Sequence, residues 1–128
     1  MASPVLAEGR RTAEFMVSEA NGMRSRDVGT FINSGTVEVL LPAGLVLGKL
    51  AADSSYAGFT NAGTLGLQTA AAVLWDNVRI AASGTVTATI ITRSAEVNDA
   101  ELQWVGTVDS PGKALARTSL RAIGIIPR

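Results

Sequence analysis

Cysteine and histidine are both missing from the 128 residues. Without thiols there are no disulfides and no thiolate nucleophiles, and without either residue zinc sites of the usual ligand types and imidazole acid–base chemistry fall away too. Aromatic residues make up only 5% of the chain, which favours thin layers and close backbone approach over a deep aromatic-lined pocket. Neither sign of charge is in excess, since 11 basic residues face 11 acidic ones. A nucleic-acid binder ordinarily carries a basic surplus or stripe. Here Arg10, Arg11, Arg24 and Arg26 all have acidic neighbours in Glu8, Glu14, Glu19 and Asp27, so no nucleic-acid partner is expected. Long apolar runs are also absent. The long uncharged stretch over residues 56–75 is full of Gly, Thr, Asn and Gln and does not suit a membrane span. Residues 1–7 lack a basic start and no apolar run follows, so no secretory signal is expected. A cysteine-free chain is compatible with assembly in a reducing host cytoplasm.

What is present suits one domain with a real core. Hydrophobic residues make up 47% of the chain, mostly Ala, Val, Leu and Ile, and a chain of this length supports one domain, not two. Zero net charge does not oppose crowding many copies together.

Residues 1–11 (MASPVLAEGRR) have no periodicity and read as an arm. Residues 12–18 (TAEFMVS) read as extended, with Ala13, Phe15 and Val17 on one side. Asn21-Gly22 is a turn signal, and residues 23–27 are polar. The middle is built from short extended runs: 36–41, closed by the turn Pro42-Ala43-Gly44, then 45–51, 69–74, 78–82 and 86–92 (VTATIIT). Gly48 suggests a bulge or close backbone contact. Residues 69–74 read as a buried strand, although their alanines also fit a helical turn. Residues 52–68 and 93–102 read as loops. SGTV occurs at 34–37 and again at 83–86, each time as a turn feeding a strand. Near the end the period changes. Asp109-Ser110-Pro111 is a helix start and Gly124 a helix stop, with Leu115, Ser119, Ala122 and Ile123 on the expected inner face. The expected architecture is mainly β, a small β-clip-like barrel or sandwich of short strands with one C-terminal α-helix. An extended arm over residues 1–20 precedes a single β-rich domain over 21–128.

No constellation points to catalysis. Glu96, Asp99 and Glu101 are close in sequence, but there is no Gly-centred calcium loop and no second acidic cluster. They read as part of a polar loop whose shape Glu96 and Asn98 hold. Residues 58–66 (GFTNAGTLG) lack the Lys-Ser/Thr of a phosphate loop and read as a flexible surface loop. The serines have no histidine base. Trp75 and Trp104 suit either a core or an interface. No catalytic residue, metal or cofactor is expected. Residues 12–18 carry more weight, because a strand there must add to a sheet, its own or a partner's. Periodicity leaves both open.

Several segments together resemble the lambda-type head decoration proteins of tailed phages. They are residues 11–27 (RTAEFMVSEANGMRSRD), 45–49 (LVLGK) after Pro-Ala-Gly, 71–74, 90–102 (IITRSAEVNDAEL) with Trp104 close by, and 120–128 (LRAIGIIPR). They follow the family's order and span nearly the whole chain. The resemblance implies a virion structural protein of β-clip type and a homotrimer. The trimer would cap three-fold positions on the outer surface of an expanded head and stabilise it through the major capsid protein. It also implies an N-terminal arm that orders on the capsid, which makes Thr12, Glu14, Phe15, Met16 and Val17 the expected capsid-contact residues. The chain departs from the shorter prototype in its N-terminal region, so a different contact pattern is expected for that arm. Other readings are a tail or fibre-attachment module, a small ligand-binding β domain, or an enzyme built around Glu96 and Asp99.

Overall fold

The structure, a computed structural model, describes residues 11–20, 22, 24–62, 65–106 and 108–128. Residues 1–10 of the expected arm, and Asn21 of the expected turn, lie outside them. The elements run β1 (Met16–Glu19), β2 (Arg26–Ile32), β3 (Val39–Leu41), β4 (Val46–Lys49), β5 (Tyr56–Gly58), β6 (Ala70–Leu74), β7 (Val78–Ile80), β8 (Thr85–Ile91) and β9 (Ala95–Val97). A 3-10 turn (Asp99–Glu101), helix α1 (Ser110–Ala122) and β10 (Ile125–Pro127) complete the chain.

A five-stranded antiparallel sheet, in the order β2-β8-β6-β4-β5, is the centre of the molecule. Successive strand residues face opposite ways, and here both faces are buried. Val46, Val73 and Ile91 point into one core with Phe15, Val97, Ala116, Leu120 and Ile125. Their neighbours Leu47, Leu74 and Ile90 point into a second core with Phe31, Val78 and Ile80. The first core is roofed by α1 and a three-stranded sheet, β1-β9-β10; the second is roofed by the pair β3-β7. Burial on both sides explains the unbroken apolar run 70–74, which is a strand and not a helical turn. The fold is thus mainly β with several sheets and a C-terminal helix. Its central sheet does not close into a barrel, because β2 and β5 share no ladder. Side chains bridge the gap instead: Tyr56 lies so near Gly29 that a Cβ there would sit 2.9 Å from its ring, and the Phe31 and Tyr56 rings lie 6.3 Å apart.

Glycine is required where layers meet most closely. Gly48 sits at a register shift between β4 and β6, and a Cβ on it would fall 2.7 Å from the Leu67 backbone. The two SGTV turns are neighbours in space, since the Ser83 N–H donates to the Gly35 carbonyl at 3.0 Å. Asn33, nearly buried, ties this corner by donating to the carbonyls of Val37 and Ile80.

Helix α1 starts where expected. The Asp109 carboxylate accepts from the Gly112 N–H at 2.8 Å, and Gly124, with φ of 87°, turns the chain out of it. Its inner face differs from the expected one. Gly112, Ala116 and Leu120 are buried, whereas Leu115 is exposed. Small residues win here because they let the helix approach, and a Cβ at Gly112 would fall 2.6 Å from Asn61. Three expected loops or polar stretches also contain strands. Arg26–Ile32 is β2, Tyr56–Gly58 is β5 followed by a fully buried Phe59, and Ala95–Val97 is β9. Each owes its existence to the ladder beside it, not to its own composition.

Gly48→Ala should destabilise the domain by about 1–3 kcal/mol, because the clash is with backbone that cannot rotate away. Urea unfolding followed by far-UV circular dichroism measures this.

Candidate functional site at the start of the chain

The expected capsid-contact residues divide into two groups. Residues 12–15 form a turn, not a strand, in which Ala13 takes a positive φ of 56° and its N–H donates to the Trp75 carbonyl at 2.8 Å. The turn drives Phe15 into the first core, where it is fully buried. The Phe15 carbonyl accepts from the Asn98 N–H at 2.7 Å. Strand β1 then pairs with β9 of its own chain, antiparallel, and β10 pairs with β9 in parallel. Phe15 is therefore an internal plug, buried among the chain's own residues.

The expected alternation of Ala13, Phe15 and Val17 fails for a definite reason. The register of β1 against β9 shifts between Met16 and Ser18. Val17 is the extra residue of that bulge, so it points outward and is 55% exposed. Thr12 and Glu14 are also exposed, and Met16 is half-buried against the core. Thr12, Glu14 and Val17 thus share an accessible stretch. A shallow hollow of about 350 Å³ lies beside β1, lined by Ser18, Glu19, Arg24, Ser94 and Glu96 among others.

Polar groups around this stretch are paired with one another. Glu19 accepts from Arg26 and from the buried Ser25 hydroxyl, and Arg26 stacks 3.8 Å over the Trp75 ring. These donors, Arg26 first, hold the Glu19 carboxyl below the usual carboxylate range. Arg93 and then Thr92 do the same for Asp27, with Arg93 at 2.5 Å. The carboxylates weighed as an acidic site do not converge. Glu96 points outward from β9 to Arg128, and Asp99 meets Arg117 at 2.6 Å. Asn98 holds the following turn by accepting from the Ala100 N–H at 3.1 Å. Among the described residues no group of His, Cys, Asp and Glu is placed to hold a metal ion, and no helix is long and apolar enough to cross a membrane. Trp75 and Trp104 both lie partly buried against the first core.

The first and last described strands thus share one small sheet, the acids around it are tied to arginines, and a short exposed stretch leads into it. This arrangement describes a structural module built to present surface. The family model for bacteriophage lambda head decoration protein D matches residues 5–125, and the chain belongs to that family. It is a phage virion structural protein, a decoration component of the head. No curated protein matches the chain.

Two outcomes follow from this geometry. Phe15→Ala should cost about 3–5 kcal/mol of stability, as for other buried aromatics, measured by urea unfolding. Because the Glu19 and Asp27 carboxyls are depressed in the folded state, their stabilising contribution is complete above the usual carboxylate pKa of about 4 and is lost as pH falls through their folded values. The thermal midpoint should therefore drop on acidification below about pH 4, and Glu19→Gln should flatten part of that slope.

Proposed function

We propose that the protein binds the outer surface of an expanded phage head as a homotrimer, contacts the major capsid protein through the start of its chain, and stabilises the shell. The single observation that carries this reading is β1: a bulged edge strand, paired on one side only, with Val17 exposed at its outer rim. An edge strand with open backbone groups is a template for one more strand. Its contact residues are Thr12, Glu14 and Val17, with Met16 reached from the side. The expected arm over residues 1–20 is accordingly proposed to act in its leading part, ahead of Phe15, and along the outer rim of β1.

Energetics favour an oligomer for this task. Burying one valine contributes roughly 1.5–3 kcal/mol, while each ordered backbone residue costs about 1–2 kcal/mol. New hydrogen bonds return only about 1 kcal/mol each. One attachment alone is weak. Linking three in a closed trimer makes the second and third intramolecular, with avidity gains on the order of 10²–10⁴. The reading also places assembly in the host cytoplasm and involves neither nucleic acid nor membrane. A small-ligand role is less favoured: the apolar cleft between β2, β3 and β5 holds only about 110 Å³, against roughly 300–1,000 Å³ for typical ligand sites, and the larger hollow beside β1 is shallow, with its carboxylates Glu19 and Glu96 already paired to arginines.

Val17→Asp should leave circular dichroism and subunit count unchanged, yet reduce co-sedimentation with expanded heads at least ten-fold. Removing residues 1–10, which spares Phe15 and every described strand, should act in the same direction. Full binding by Val17→Asp would count against this strand as the contact.

A further inference from the structure

Strand β1 is weakly held by its own ladder. It pairs with β9 at three positions, Met16, Ser18 and Glu19, and the register shifts between the first two. A ladder of this length is marginal by itself. Both ends of the segment are fastened instead to one residue outside the small sheet. At the leading end the Ala13 N–H donates to the Trp75 carbonyl at 2.8 Å. At the trailing end both carboxylate oxygens of Glu19 accept from Arg26, whose guanidinium lies 3.8 Å over the centre of the Trp75 ring. Trp75 is itself fixed: its N–H donates to the Thr89 carbonyl of β8 at 3.1 Å, and it packs against the first core.

Glu19 and Arg26 also flank the corner at which the chain leaves the small sheet for the central one. Glu19 pairs with Ala95 and Arg26 with Ile91, so residues 20–25 run opposite the shorter stretch 92–94. The ladder loses its regular register here, and side chains brace the corner. The buried Ser25 hydroxyl donates to Glu19 on one side, and Arg93 bonds Asp27 and the Arg24 carbonyl on the other.

We infer that Arg26, stacked on Trp75, is the positioning residue of the contact strand: it holds the trailing end of β1 against the central sheet, so that the rim at Val17 meets its partner already ordered. The inference rests on the capsid-contact reading above and adds the residue that prepares that contact. A strand ordered in advance gives up less freedom on binding, which raises affinity without any new contact. The chemistry calls for arginine, because a planar guanidinium grips a carboxylate with two bonds and stacks on an indole with its face, whereas an ammonium makes no such fork. The Arg26 and Glu19 side chains are only 26% and 20% exposed, so water and salt weaken the pair less than a surface pair.

The test compares Arg26→Met with the parent by co-sedimentation with expanded heads and by hydrogen–deuterium exchange. Gly48→Ala serves as a variant that loses stability far from β1, and Arg79→Gln as one that loses an exposed ion pair. Arg26→Met should weaken head binding about ten-fold, the scale of one lost charged hydrogen bond, and speed exchange in residues 16–19 more than in 46–49. Arg26→Lys should fall between Arg26→Met and the parent, and both controls should bind as the parent does. Unchanged head binding by Arg26→Met, or exchange that rises equally in both segments, overturns the inference and leaves the capsid-contact reading standing. A parent chain that does not bind heads overturns both. Should Arg26→Met fail to fold, Glu19→Gln, which keeps the shape of the side chain, is read by the same two measurements against the same outcomes.

Discussion

The structure depends on one sheet being apolar on both of its faces. Val46 and Leu47, Val73 and Leu74, Ile91 and Ile90 are adjacent pairs whose members are buried in opposite directions. A sheet of this kind is stable only when something covers each side, and that requirement organises everything else. On one side the cover is the helix and the small sheet β1-β9-β10; on the other it is the β3-β7 pair. The covers are thin, and small residues where the layers meet let them lie close: Ala70 and Ala72 in the sheet and Ala116 in the helix. A chain with few aromatics builds two shallow cores more readily than one deep one.

Legibility in the sequence followed local chemistry. The helix was readable because Asp109, Pro111 and Gly124 are punctuation whose meaning does not depend on the rest of the fold. Residues 86–92 were readable because β-branched side chains crowd a helix. The inner face of the helix was not. Leu115 has the greater apolar side chain, but Gly112 and Ala116 permit the closer approach, and that preference is set by the partner surface. The same limit hid β2, β5 and β9. Gly29 interrupts the first to admit Tyr56. The second consists of Tyr56, Ala57 and Gly58, and the third is three residues centred on a charged Glu96 and flanked by Ser94 and Asn98, held by ladders on both sides.

The candidate site was half legible. Residues 12–18 stood out as extended, but only their second half is: 12–15 form a turn and the strand begins at Met16. Which residue faces where depended on a one-residue bulge, and no periodicity reveals a bulge before its partner strand is known. Family resemblance rested on segments that turn out to be spatial neighbours. The stretch around Phe15, the stretch 95–99 and the ending 125–128 form a single packed unit.

The buried Phe15 has a mechanical meaning. It lies between the leading residues and the only ladder that holds β1 to the rest of the molecule, with its carbonyl fastened to Asn98 and its ring wedged beneath the helix. Tension applied ahead of Ala13 meets its hydrogen bond to the Trp75 carbonyl and then this ring before it reaches the β1–β9 ladder. The side chain acts as a stop-knot, so a subunit tugged by its leading end transmits the load to its interior and is not peeled open strand by strand.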